Sequence, residues 1–199
     1  MSNYIFAPGP SRPEQNSTFI TWENGFTSEE LNQIEDYCEQ NLVIDKATVF
    51  GKDKESDYVE IRKSKTGWMS LTNKNQWFYD KIAFIARQLN SKFYDFDLYG
   101  FSEDMQYTVY DKDGDHYDWH IDAGNSTVPR KLSLVLLLTD PTEYLGGDLQ
   151  FMTNKDIITA TPARGLVIGF PGFRLHRVTP VTSGVRKSIV IWISGPSFR

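Results

Sequence analysis

Apolar residues recur at helical spacing in the first half of the chain and in short alternating runs in the second. Leu31, Ile34, Cys38 and Leu42 repeat every three or four positions, the stripe that one face of a helix buries. Thr27 precedes them and Glu30 follows three residues on, a capping-box pair that marks the start of that helix. Trp77, Ile82, Ile85 and Leu89 predict a second amphipathic helix over about Asn73 to Leu89. Ser17 to Trp22 can form a short strand. Met1 to Asn16, rich in Pro, Ser and Asn, reads as a loosely held arm. Gly51 to Gly67 is charged and irregular and reads as a long loop.

From Lys92 onward the texture changes. β-Rich runs appear at Phe93–Phe101, Met105–Tyr110, Leu132–Thr139, Asp148–Phe151, Ile157–Ala160, Leu166–Phe170 and Ser188–Ser194, separated by turn residues such as Asp140-Pro141, Gly146-Gly147 and Pro171-Gly172. Many short strands at close spacing predict a sandwich or barrel. Two helices ahead of them predict packing on one outer face of a sheet. The expectation is one mainly β domain with flanking helices over residues 17–199, its β core at about 93–199.

Composition narrows the function. A chain of 199 residues suits one domain. A formal charge of −5 argues against a protein that works by neutralising phosphates, so a nucleic-acid partner is not expected. Arg62, Lys63 and Lys65 form a local basic patch, read as a solvated loop. The single cysteine, Cys38, sits on the apolar stripe and reads as a buried hydrophobe. No basic-then-apolar leader precedes Ser17, and no apolar run approaches the roughly 18 residues of a membrane span. These features predict a soluble, intracellular protein.

The chain has three histidines, His116, His120 and His176. His120 and Asp122 are two apart, so a strand would project them together with Ile121 turned away. Leu175 to Thr179 can be another strand, delivering His176 from a distant part of the sequence. Two imidazoles and a carboxylate can hold one face of a non-haem Fe(II) ion and leave the opposite positions open. A closed tetrahedral zinc site is disfavoured, because cysteine ligands are absent. His-x-Asp alone is a weak signal, and Arg186 strengthens it. Pro180, Thr182, Ser183 and Gly184 read as a turn, so that His176 and Arg186 would face each other across a hairpin. Arg186, Ser188, Val190 and Trp192 share one face by parity, and Lys187, Ile189 and Ile191 the other. An inward guanidinium beside a metal suits a carboxylate held bidentately. Lys187 is the rival anchor. Tyr110 is a candidate hydrogen-bond donor to the same ligand, and Tyr117 and Trp119 flank the motif. Asp111, Asp113 and Asp115 do not make an EF-hand, since Gly114 comes fourth where that loop needs it sixth. His116 is placed outside the metal set.

The run Tyr110, Tyr117, His120, Asp122, then Gly146-Gly147-Asp148-Leu149, Phe170-Pro171, His176, Val178, Pro180-Val181, Gly184, Arg186 and Trp192 resembles the 2-oxoglutarate- and Fe(II)-dependent oxygenases, in the prolyl 4-hydroxylase-like branch with the PKHD-type hydroxylases. The likeness runs from about Met105 to Trp192. It implies a double-stranded β-helix of jelly-roll type, with His120, Asp122 and His176 as catalytic iron ligands. It implies that Arg186 anchors the distal carboxylate of 2-oxoglutarate and that Tyr110 touches the same co-substrate, with Trp192 a plausible wall. Some relatives carry a second anchoring tyrosine where Leu137 stands here, and Ser133 is the hydroxyl expected to substitute. The cofactors implied are Fe(II), 2-oxoglutarate and O₂, with ascorbate in support. The reaction implied is hydroxylation of a prolyl residue in a peptide or protein, with succinate and CO₂ as co-products. Gly51 to Gly67 is the candidate lid, and Tyr58, Arg62, Trp68 and Trp119 are the candidate substrate contacts. The alternatives are an oxygenase acting on a small molecule or free amino acid, a catalytically silent jelly-roll binding module, and a zinc hydrolase using the same three ligands.

Overall fold

The computed structural model describes residues 17–47, 60–123 and 129–197. In chain order its elements are β1 (Ile20–Trp22), α1 (Ser28–Asn41), β2 (Asp45–Lys46), β3 (Arg62–Lys63), β4 (Lys65–Met69) and α2 (Gln76–Leu89). There follow β5 (Gly100–Phe101), β6 (Met105–Asp111), β7 (His116–His120), β8 (Arg130–Leu137), β9 (Tyr144–Gly146), β10 (Leu149–Thr153), β11 (Asp156–Thr159), β12 (Val167–Pro171), β13 (His176–Val178) and β14 (Val181–Ser194).

Thr27 and Glu30 close the expected capping box: Glu30 N donates to Thr27 Oγ1 at 3.2 Å, and Thr27 N to Glu30 Oε2 at 2.8 Å. The predicted stripe buries Leu31, Ile34 and Cys38. Burial pushes the Cys38 thiol up to about 12, so it packs as an inert hydrophobe. The second helix starts at Gln76 and not near Asn73, because Asn75 holds the preceding turn through Thr72 N and the Ser70 carbonyl.

The strands form two antiparallel sheets that face each other, a jelly-roll architecture. The larger, nine-stranded sheet runs β1-β12-β8-β14-β6-β4-β2, with β5 and β9 also paired to β14. The smaller runs β11-β10-β13-β7-β3. Strand parity divides the core in two. On β8, Leu132, Leu134 and Leu136 pack outward with α1 and α2, and Val135 and Leu137 face the smaller sheet. On β14, Ile189, Ile191 and Ile193 join the helix-covered layer. Lys187 points the same way, donating to Glu35 and Glu39 of α1 at 2.6 Å each.

Three expectations need correction. The run Phe93–Phe101 is not one strand. Asn90–Tyr94 continues the helix as a π turn, and Asp95 at φ 52° ends it. The Asn90 side chain grips Phe96 through both its N–H and its carbonyl, which leaves only Gly100–Phe101 extended. Second, His176 and Arg186 do not face each other across a hairpin. The chain changes sheets between Val178 and Val181, so β13 lies in the smaller sheet and β14 in the larger. The Pro180–Gly184 stretch opens β14 and pairs with β9. Third, strands enter both sheets well before residue 93: β1, β2 and β4 extend the larger sheet and β3 the smaller. The end of the predicted loop, from Arg62 on, is therefore β structure, and its residues 51–59 lie outside the described residues.

Candidate active site

His120 ends β7, His176 begins β13, and the two are direct register partners. Asp122 follows in the bend beyond β7, where Asp122 N and Ala123 N both donate to the Gly172 carbonyl at 2.8 Å. That clamp, and not strand parity, turns the carboxylate inward and leaves Ile121 half exposed. One ligating atom from each of His120, Asp122 and His176 lies within 4.8 Å of the others. His120 Nε2 is 3.8 Å from Asp122 Oδ1, and His176 Nε2 is 3.6 Å from Asp122 Oδ2. These gaps are too wide for hydrogen bonds.

Each imidazole is oriented through its other nitrogen. His120 Nδ1 sits 2.8 Å from the Asp118 carbonyl and His176 Nδ1 2.8 Å from the Arg174 carbonyl. A carbonyl only accepts, so Nδ1 carries the proton and Nε2 presents a lone pair. Burial, with His176 alongside, pushes His120 down to about 3 and keeps it neutral. Burial works to raise Asp122, but His176, His120 and a hydrogen bond from Ser133 outweigh it and hold the carboxyl ionised. Two imidazoles with their Nε2 atoms turned to a buried carboxylate make a donor set that fits a divalent ion, with one side left to other ligands.

That side opens into a cavity between the sheets, whose lining includes Tyr110, Tyr117, Phe170, Arg186, Ser188 and Trp192. A register shift between β13 and β7 pairs Val178 with Tyr117 and His176 with His120. The extra residue on β7 turns Tyr117 and His120 to the same side. Their rings stack with centroids 3.5 Å apart. Arg186 is 2% exposed, and its Nη1 donates to Ser188 Oγ at 3.1 Å. Its Nε has no partner, and no carboxylate among the described residues lies within ion-pair distance. A buried guanidinium so poorly compensated is built to receive an anion. Tyr110 lies beside it, the guanidinium carbon 5.4 Å from the ring centre. Burial raises the Tyr110 pKa, so it enters the cavity as a neutral donor. Lys187, tied to α1 outside the sheet, is not available as the rival anchor.

The remaining predicted residues divide. Arg62 lines the cavity and is no solvated loop residue: it is 8% exposed, donates to Ser64 Oγ and Gln106 Oε1, and lies 4.6 Å from the Tyr117 ring centre. Trp192 lines the cavity with Arg130 stacked on it at 3.7 Å, and half-exposed Trp68 lies 6.0 Å from Trp192. Trp119 is not in the cavity lining. It lies under the Arg177 guanidinium at 4.6 Å, which in turn binds Gln150. Tyr58 lies outside the described residues. Ser133 is not near Arg186: it donates to Asp122 Oδ2 at 2.7 Å and sits four positions from Leu137, the register partner of Ser188. That is on the order of 13 Å along a strand. His116 bonds the Gly114 and Glu60 carbonyls, away from the triad. Gln106 and Ser188 were missed, although both share strand parity with Tyr110 and Arg186.

The model of the 2OG-Fe(II) oxygenase superfamily matches residues 105–194, the stretch that carries the triad and Arg186. These residues, just under half of the chain, resemble that superfamily. A PKHD-type hydroxylase of Hyphomonas neptunium is 42% identical over 87 residues, covering 41% of this chain and 38% of that protein. The chain thus matches well under half the length of such relatives. A PKHD-type hydroxylase of Rippkaea orientalis is 28% identical over 182 residues, 87% of this chain and 77% of its own. The fold is that of the prolyl hydroxylase from Trichoplax adhaerens solved with a hypoxia inducible factor peptide: TM-score 0.74 at 16% identity, over 90% of this chain and 84% of that one. Within this jelly roll, His120 and His176 sit on the smaller sheet and Arg186 on the larger. Among the described residues no helix is long and apolar enough to cross a membrane.

Proposed function

We propose that this chain is an Fe(II)- and 2-oxoglutarate-dependent dioxygenase that hydroxylates a prolyl residue in a peptide or protein, with succinate and CO₂ as co-products. The observation that carries the reading is one cavity bounded by a converged His120/Asp122/His176 donor set and a buried Arg186 whose Nε has no partner. His120, Asp122 and His176 would hold the iron, which with 2-oxoglutarate and O₂ supplies the oxidising chemistry. The chain does the rest. Arg186 and Ser188 fix the far carboxylate of the co-substrate, and Tyr110 donates to it. Phe170, Val135 and Leu149 exclude water from the walls. Arg62 and Trp192 line the same cavity, where they would contact the prime substrate. The peptide class rests on likeness: the Trichoplax enzyme was solved with a peptide, and the curated relatives are hydroxylases of PKHD type.

The test is anaerobic. Metal-free protein given Fe(II) and 2-oxoglutarate should develop a visible metal-to-ligand charge-transfer band, absent in His176→Ala. Proline-containing peptides are then screened for a mass gain of one oxygen, with and without ascorbate, against free proline as the small-molecule competitor. A folded wild type that gives no band overturns the reading.

A further inference from the structure

On the inner face of β8, Ser133 alternates with Val135 and Leu137, so a hydroxyl stands in an otherwise aliphatic row. It is fully buried. Its register partners are Phe170 on one side and Trp192 on the other. A hydroxyl in such a place costs stability unless it finds a partner. Its partner is the carboxylate of the triad: Ser133 Oγ donates to Asp122 Oδ2 at 2.7 Å. Oδ1, which has no such hydroxyl, lies 3.8 Å from His120 Nε2, while Oδ2 also lies 3.6 Å from His176 Nε2. The backbone clamp from Gly172 fixes where Asp122 begins, but it leaves rotation about the side chain free. The Ser133 hydroxyl removes that freedom from the side of the larger sheet.

We infer that Ser133 is a positioning residue for the metal: by engaging one lone pair of Oδ2 it fixes the carboxylate rotation and favours presentation of Asp122 to the ion through Oδ1 alone, against spreading over a second coordination position. The inference rests on the proposed metal-site reading. Its consequence is chemical. An ion held by two imidazoles and a one-toothed carboxylate keeps three octahedral positions open, enough for a chelating co-substrate and O₂. A two-toothed carboxylate would leave only two. Partners that orient a metal ligand typically cost about 10–100-fold in metal affinity when lost. Trp192 approaches Asp122 from the same sheet and also favours its ionised form, a weaker second support, since its Nε1 makes no full hydrogen bond.

Cobalt(II) is the probe, titrated into metal-free full-length protein, with dissociation constant and d–d band intensity as readouts. Ser133→Ala should bind about 10–100-fold more weakly and with an altered band. Ser133→Cys, close in shape but a weak donor, should behave like Ser133→Ala, and Ser133→Thr, which keeps the hydroxyl, should stay near wild type. Melting of the metal-free proteins shows that each variant is folded. If Ser133→Ala and Ser133→Cys both bind within about two-fold of wild type with an unchanged band, the inference is wrong. If wild type binds no cobalt, or His176→Ala binds as well as wild type, the metal-site reading itself fails and the inference with it.

Discussion

The two sheets have the same strand chemistry but opposite surroundings. The larger is buried on both faces, with the apolar stripes of α1 and α2 outside and the cavity inside. The smaller is buried on one face only. Its outer side carries Trp119, Arg177, Gln150 and Thr159, joined by a cation–π contact and two side-chain hydrogen bonds, and its edge strand β11 is exposed throughout. The triad hangs from this thinner sheet, with His120 and Asp122 at the end of β7, and the guanidinium end, Arg186, is fixed in the middle of the thicker one. Both ends of the cavity are buried, but the metal end is backed by one sheet alone and the arginine end by a sheet and its covering helices.

The sharpest way to break this contrast is at the arginine end. If Arg186 is there for an anion, Arg186→Met should weaken 2-oxoglutarate binding by about 2–5 kcal/mol, roughly 30-fold or more, because a buried charge-assisted partner is lost. The same change should leave the melting temperature of the ligand-free protein unchanged or higher, since an uncompensated buried charge has gone. A variant that binds 2-oxoglutarate normally yet melts earlier would make Arg186 structural. The outer faces give the next contrast. Leu134→Ala, in the helix-covered layer of the larger sheet and unexposed, should cost about 2–5 kcal/mol in denaturant unfolding. Ile157→Ala on β11, 50% exposed, should fall near the roughly 0.5 kcal/mol typical of surface changes. Equal costs would mean that the smaller sheet is covered by something in solution.

These contrasts were partly legible in the sequence, for a definable reason. Alternation tells which residues share a face, so Arg186, Ser188, Val190 and Trp192 were separable from Lys187, Ile189 and Ile191, and the structure keeps them apart. Alternation does not tell which sheet a strand joins. That is why His176 and Arg186, ten residues apart, looked like a hairpin when the chain in fact crosses between sheets. Local side-chain bonds also escape a pattern reading: Asn90 capturing Phe96 converts a β-rich run into a π turn. Long-range pairing escapes it too. Arg62 looked like a solvated charge because Gln106, its partner, lies 44 positions away. Ser133 was expected to serve the co-substrate, and only the bend held by Gly172 brings Asp122 onto it.

Gly147 sharpens the link between backbone and anchor. Its φ is +66°, and a Cβ built there would lie 2.7 Å from Arg186 Cδ and 2.9 Å from Val181 Cγ2. The glycine leaves room for the arginine stem to run into the cavity. Gly147→Ala should cost about 1–2 kcal/mol for the left-handed backbone and should weaken 2-oxoglutarate binding as the guanidinium shifts. The sign to look for is a raised KM for 2-oxoglutarate with metal affinity near wild type, because the triad sits on the other sheet. Equal losses at both ends of the cavity would show that the two sheets do not act independently.

The smallest expected effect lies where the helices that cover the larger sheet are tied to each other. Lys81 of α2 donates to both carboxylate oxygens of Glu30 in the first turn of α1 at 2.6 Å. That bond, with the Thr27 backbone N–H, holds Glu30 below the usual carboxylate range. A lowered folded pKa contributes stability above the unfolded value, about 4.3, and loses it as pH falls through the folded value. The pair is partly exposed and is worth less than about 1 kcal/mol. Lys81→Met should therefore melt at most about 2–4 °C below wild type at neutral pH. The gap should close as pH drops below about 4, because acid removes from wild type what the substitution has already removed. A gap that persists at low pH would assign the loss to the Lys81 contact with the Phe26 ring, 4.9 Å away, and not to the charge pair.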